Sequence, residues 1–101
     1  MILRYTPQAM LDLEEISSYI AIELQNPEAA KHVIASIAKD ASLLKSQPYL
    51  GVELRKKIGR DIDGHALISG KYILIYEVTD AISILRVLDT RVDYLRVIDT
   101  W

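Results

Sequence analysis

Cysteine is absent from the 101-residue sequence, which excludes disulfide bonds and thiolate metal sites. The two histidines, His32 and His65, have no partner at metal-ligand spacing, so we expect no metal site. No apolar run approaches the roughly 20 residues that a membrane-spanning helix needs. The first residues lack the basic start and apolar core of a signal peptide. We therefore expect a cytoplasmic protein without membrane contact.

The sequence motifs of common catalytic and cofactor-binding sites are also absent. No serine lies in a G-x-S-x-G turn, and no phosphate-binding or dinucleotide glycine pattern occurs. Gly59 and Gly64 stand in a loop without the following helix that phosphate binding requires. We expect no cofactor.

The net charge of -2 argues against general nucleic-acid binding, for which a strongly basic chain is typical. Cations are nevertheless concentrated at Arg55, Lys56, Lys57 and Arg60. This cluster is a candidate contact for phosphates or for an acidic partner, and a solvated loop is the alternative interpretation.

The length predicts one domain over residues 1–101. Residues 2–5 predict a short strand, and apolar steps of three and four predict a helix over about 7–24, with Asp12 off its buried face. A second helix is predicted from Pro27 to before Pro48. The two pairs Thr6-Pro7 and Asn26-Pro27 are typical of capped helix starts, and their short link favours an antiparallel hairpin.

Residues 48–64 predict a long loop, after which the apolar period changes to two. Strands are predicted over 65–69, 72–78 and 82–88, followed by a polar turn or short last helix over 89–98. The fold class is therefore α+β, with an N-terminal strand and a helical hairpin on one face of a small antiparallel sheet in the order β-α-α-β-β-β. Because these strands are apolar on both faces, we expect the second face to be left open for another polypeptide.

Two arginines near the C-terminus are candidate functional residues. Arg86 lies between apolar strand residues, where it faces a groove or pairs with Glu77 across the hairpin. Arg91 directly follows the last predicted strand, a place where a rigid scaffold positions side chains. Its alternative role is a salt bridge to Asp89 or Asp93.

Four segments together resemble the RelE/ParE superfamily of bacterial toxins, over almost the whole chain and in the family's order. These are Thr6-Pro7-Gln8-Ala9 with Asp12-Leu13, Ile16 and Tyr19-Ile20, Asn26-Pro27-Glu28-Ala29-Ala30 with Ile37, Leu44, Pro48 and Gly51, Gly70 to Val78, and Ile84 to Tyr94. The resemblance implies the toxin of a type II toxin–antitoxin system, which inhibits growth, serves plasmid stabilisation and is neutralised by a cognate antitoxin.

The superfamily divides by target into RelE-like members and ParE-like members, and the ParE-like members act on DNA gyrase. This sequence departs from the RelE-like pattern, which favours the ParE-like group. RelE-like members cut messenger RNA on the ribosome and carry strand arginines where this sequence has Ala66, Ile68 and Ile73. Without those cations little would stabilise the charge of a scissile phosphate. The net charge and the lack of a C-terminal histidine point the same way.

Three readings of the resemblance stay open. The first is a non-enzymatic ParE-like toxin with Arg86 and Arg91 near its functional surface and the basic cluster beside it. The second is a ribosome-dependent endonuclease, in which Arg91 stabilises the transition state, Lys56 or Lys57 contacts phosphate and Tyr94 handles a proton. The third is a family member that binds an antitoxin but has lost toxicity.

Overall fold

A computed structural model describes residues 1–54 and 64–99 of the chain. The helices and strands of these ranges follow the predicted order, with one additional short strand. They are β1 (Ile2–Tyr5), α1 (Pro7–Ser18), α2 (Pro27–Ser42), β2 (Val52–Glu53), β3 (His65–Ser69), β4 (Tyr72–Val78), β5 (Ala81–Asp89) and α3 (Tyr94–Asp99).

Both long helices begin at side-chain caps, as predicted. The Thr6 hydroxyl accepts a hydrogen bond from the backbone N–H of Ala9 at 3.2 Å, and Asn26 Oδ1 accepts one from Ala29 at 3.1 Å. Each cap satisfies one of the free N–H groups of the first helical turn, and the proline that follows it has none to satisfy.

The two helices of the hairpin are connected by a π-helical segment and a short turn. After α1 the chain continues as a π-helical segment over Tyr19–Glu23, and Gln25 then adopts a left-handed φ of 51°. This sharp reversal brings the chain to the α2 cap, Asn26, three residues after the segment ends. The prediction of one helix to about residue 24, followed by a short link, is confirmed.

The sheet has the strand order β1-β5-β4-β3-β2. The three pairs among β2 to β5 are antiparallel, whereas β1 runs parallel to β5. The α+β class is confirmed, but the sheet is mixed rather than wholly antiparallel. The pairing of the first strand with the last is a contact between distant segments, for which the periodicity of each strand gives no signal.

One sheet face packs against the helical hairpin. The adjacent strands β4 and β5 contribute the fully buried side chains of Leu74, Tyr76, Ile82 and Ile84. Helix residues of the same core cluster include Ala9, Ile37, Ala41 and Leu44. Burying aliphatic side chains of this size stabilises the fold by about 1.5–3 kcal/mol each, so this layer supplies much of the driving force for folding.

The second sheet face is covered in part by the chain itself, so the prediction of an open face is wrong over its centre. Ile98 of α3 and Leu54 are fully buried against Ile73 and Ile75 of β4. Tyr94, Leu95 and Val97 also pack against this cluster. The apolar spacing within residues 94–98 lets even a short helix bury one side.

Candidate functional site

Arg86 of β5 forms an ion pair with Asp12 of α1. Its Nε lies 2.9 Å from Asp12 Oδ2 and its Nη2 lies 3.2 Å from Oδ1, so the guanidinium donates in a two-pronged geometry. The Arg86 side chain is 25% exposed and that of Asp12 is 5% exposed. The partner is therefore Asp12 rather than the Glu77 considered from the sequence. The placement of Asp12 off the buried face of the helix is wrong.

Asp12 is buried because β5 extends past the end of β1. The pairing with β1 stops at Ile84, whose carbonyl oxygen accepts a hydrogen bond from the Thr6 N–H. The Thr6 hydroxyl then donates to the Leu85 carbonyl at 3.1 Å, and Asp12 Oδ2 accepts the Val87 N–H at 2.9 Å. Thr6 and Asp12 thus provide hydrogen-bond partners for the backbone groups of β5 that β1 does not reach. Buried backbone groups require such partners.

Arg91 follows β5 and is held by Asp89. Its Nε and Nη2 donate to the two carboxylate oxygens at 3.0 and 2.8 Å, and its backbone N–H donates to Oδ1 at 2.8 Å. These bonds lower the pKa of Asp89 from 3.8 to about 2. The Arg91 side chain is still 84% exposed, so the paired guanidinium stays open to solvent. The alternative of a salt bridge to Asp89 is confirmed.

A groove of about 530 Å³ lies beside Arg91, between the tip of the helical hairpin and the end of the sheet. We call it the Arg91 groove. Its walls include Tyr19, Leu24, Lys71, Tyr72, Asp89 and Arg91. Tyr72 packs against the helix-side core, so the groove opens on that side of the sheet. Burial, followed by the nearby Asp89 carboxylate, raises the pKa of Tyr72, which keeps its hydroxyl protonated.

Tyr94 lies on the opposite side of the sheet from the Arg91 groove. It packs against the cluster that contains Ile73, Ile75 and Ile98. Arg91 and Tyr94 are close in sequence, but Tyr94 packs on the second sheet face, whereas Arg91 lines the groove on the helix side.

The candidate basic cluster of Arg55, Lys56, Lys57 and Arg60 lies outside the described residues. Among residues 1–54 and 64–99, no group of three or more metal-ligating side chains comes together. Over the same ranges, no helix is long and apolar enough to cross a membrane.

Sequence reasoning missed several residues of this region. Asp12 lies three residues after Ala9 and four before Ile16, so its helical spacing alone places it on the buried stripe. Tyr19 and Lys71 gave no such signal, because they meet only through the packing of the hairpin tip against the sheet.

A sequence model of the ParE toxin of the type II toxin–antitoxin system parDE matches residues 3–94. The chain belongs to this family. It is the toxin of a type II toxin–antitoxin system. A search of curated protein sequences finds no match.

Two solved structures share the family's fold with this chain. The chromosomal ParDE system from P. aeruginosa matches with a TM-score of 0.73 and 22% identity, covering 88% of this chain and 95% of that one. The toxin–antitoxin complex RelBE2 from Mycobacterium tuberculosis matches with a TM-score of 0.63 and 22% identity, covering 87% and 88%. Identities this low show a shared architecture alone, and it is the match to the ParE toxin model that confirms the RelE/ParE resemblance.

Proposed function

We propose that this toxin arrests growth by acting on DNA gyrase, without cutting RNA, and that a cognate antitoxin neutralises it in the cytoplasm. The whole chain, residues 1–101, would act as one domain. The observation that carries the proposal is that Tyr94 packs on the second sheet face, whereas Arg91 is paired with Asp89 beside the groove on the helix side. An endonuclease that used both would need them within reach of one phosphate.

The covered sheet face supports the same proposal. Ala66 and Ile73 are buried beneath Leu54 and α3, and Ile68 on the same strand as Ala66 is exposed but apolar. A nuclease cleft needs cationic or donor groups aimed at the developing charge of the phosphate. On these strand positions the chain offers neither, which leaves a protein target as the better supported choice.

Induced expression with two readouts tests the target. We expect production of the toxin alone to stop growth and to induce the DNA-damage response while messenger RNA stays intact. Production together with the product of an adjacent small reading frame should restore growth. Rapid cleavage of ribosome-bound messages would instead support the nuclease, and unaffected growth would support a member without toxicity.

Arg91→Ala extends this experiment to the candidate site. We expect this variant to weaken the arrest, because Arg91 presents a fixed and exposed guanidinium. Arg96→Ala removes another exposed arginine, on α3, and serves as the matched control. Full toxicity of Arg91→Ala at equal protein level would remove Arg91 from the functional surface.

A further inference from the structure

The Arg91 groove combines an apolar wall with an excess of hydrogen-bond donors. Tyr19 is 53% exposed and Leu24 is 56% exposed, and both line the groove. Exposed apolar side chains gathered at a concavity are typical of a binding surface. The π-helical segment that carries Tyr19 is also a geometry found frequently at functional sites.

The polar groups of the groove indicate the charge of the occupant. Asp89 is the carboxylate of its wall, and both of its oxygens already accept from Arg91. Among the hydrogen bonds between described residues, none involves the hydroxyls of Tyr19 and Tyr72 or the Lys71 ammonium. These groups and Arg91 Nη1 are donors, so the complementary ligand group is an acceptor with negative charge.

The donors of Tyr19, Lys71, Tyr72 and Arg91 all belong to residues that line one groove, so a single anion bound there can meet several of them. Because Asp89 holds Arg91 in place, the guanidinium loses little side-chain freedom when a ligand binds. A carboxylate seated here would gain charge-assisted hydrogen bonds.

We propose that the Arg91 groove seats a segment of the antitoxin in which a carboxylate stands beside an aliphatic side chain. This inference rests on the proposed function, which supplies an antitoxin as partner. The sequence analysis expected a partner polypeptide on the second sheet face, but α3 already covers the centre of that face. The groove offers the segment an apolar contact at Leu24 and a cationic contact at Lys71 and Arg91. Its volume lies within the range of roughly 300–1,000 Å³ that is common for binding pockets.

Calorimetric titration of the purified toxin with the product of the adjacent small reading frame tests this proposal. We expect Lys71→Glu and Arg91→Ala each to weaken binding at least tenfold, with a larger loss at low salt than at high salt. Tyr19→Phe removes only a hydroxyl and should weaken binding by a smaller factor. Lys31→Glu reverses an exposed cation on α2, outside the groove, and should change the affinity less than twofold.

Hydrogen exchange of the complex gives a second measurement that requires no variant. We expect protection of amides in residues 19–24, 71–72 and 89–91 when the antitoxin binds. Tight binding by the wild type with unchanged affinity of both cation variants overturns the groove proposal but leaves the toxin–antitoxin pair intact. Unchanged antitoxin affinity together with lost toxicity also overturns it and assigns the groove to the target. A wild-type chain that binds no product of the adjacent frame contradicts the proposed partner itself.

Discussion

Asp12 joins α1 to β5 through a carboxylate that accepts from Gln8, Arg86 and the Val87 N–H. A buried carboxylate is costly unless it is paired and hydrogen-bonded, and here both conditions are met. Removing its charge leaves the Arg86 guanidinium, three-quarters covered, without a counter-ion. Arg86 therefore owes its position to the fold, whatever further contact its exposed part makes.

Asp12→Asn should lower the free energy of unfolding by about 2–4 kcal/mol, because one partner of a largely buried ion pair is lost. Urea denaturation of the purified chain measures this change. Glu14→Gln neutralises an exposed carboxylate two residues away and should stay within about 0.5 kcal/mol. Equal effects of the two substitutions would mean that the Asp12–Arg86 pair contributes no stability.

Asp89 provides a prediction about pH at the edge of the Arg91 groove. Its pKa is lowered from 3.8 to about 2, mainly by the hydrogen bonds from Arg91. A folded-state pKa below the unfolded value means that the pair stabilises the fold above about pH 4. This contribution is lost as the pH falls towards 2. Across the neutral range Asp89 stays ionised and Arg91 stays positioned.

Carbon-detected NMR titration of the Asp89 carboxyl group measures this pKa directly. In Arg91→Ala the pKa should return towards 3.8, whereas in Lys71→Ala it should change little, since Lys71 is the smallest of the causes. A wild-type pKa near 3.8 would show that the pair does not persist in solution, and Arg91 would then be a mobile side chain.

At the scale of elements, the sequence predicted what is local and missed what is distant. The caps Thr6 and Asn26, and the bounds 65–69 and 72–78, follow from residue types and period within short windows. The parallel pairing of β1 with β5 could not be predicted this way, because it depends on how the hairpin returns the chain. The two-residue strand β2 is too short to show any period.

In the candidate site, too, contacts between residues near in sequence were predictable and contacts between distant residues were not. The salt bridge of Arg91 with Asp89 spans two residues and was foreseen as an alternative, whereas the pairing of Arg86 with Asp12 joins residues 74 positions apart. The groove needs the hairpin tip to meet the turn between β3 and β4. Gly70 makes that turn with a φ of 60°, a left-handed value that glycine adopts without strain.

A substitution in the short helix α3 tests whether this helix covers the second sheet face. Ile98 is fully buried against Ile73 and Ile75, so Ile98→Ala should lower the free energy of unfolding by about 2–4 kcal/mol. Arg96→Ala changes an exposed residue of the same helix and should remain within about 0.5 kcal/mol. Thermal and urea unfolding measure both. A loss below that same limit for Ile98→Ala would indicate that α3 does not pack on the sheet in solution.

At the scale of the whole molecule, the two sides of the sheet differ in what they offer a partner. The helix side carries the Arg91 groove, with a fixed guanidinium and exposed apolar side chains at its rim. The other side is sealed at its centre by α3, where Tyr94 packs. This arrangement suits the binding of proteins better than the cutting of a phosphodiester.

Supercoiling of relaxed plasmid by purified gyrase, with and without the purified toxin, tests the target most directly. We predict that the toxin inhibits supercoiling, that adding the antitoxin restores it, and that messages on purified ribosomes stay uncut at the same toxin concentration. Gyrase that works at full rate while the ribosome-bound message is cleaved would contradict the account.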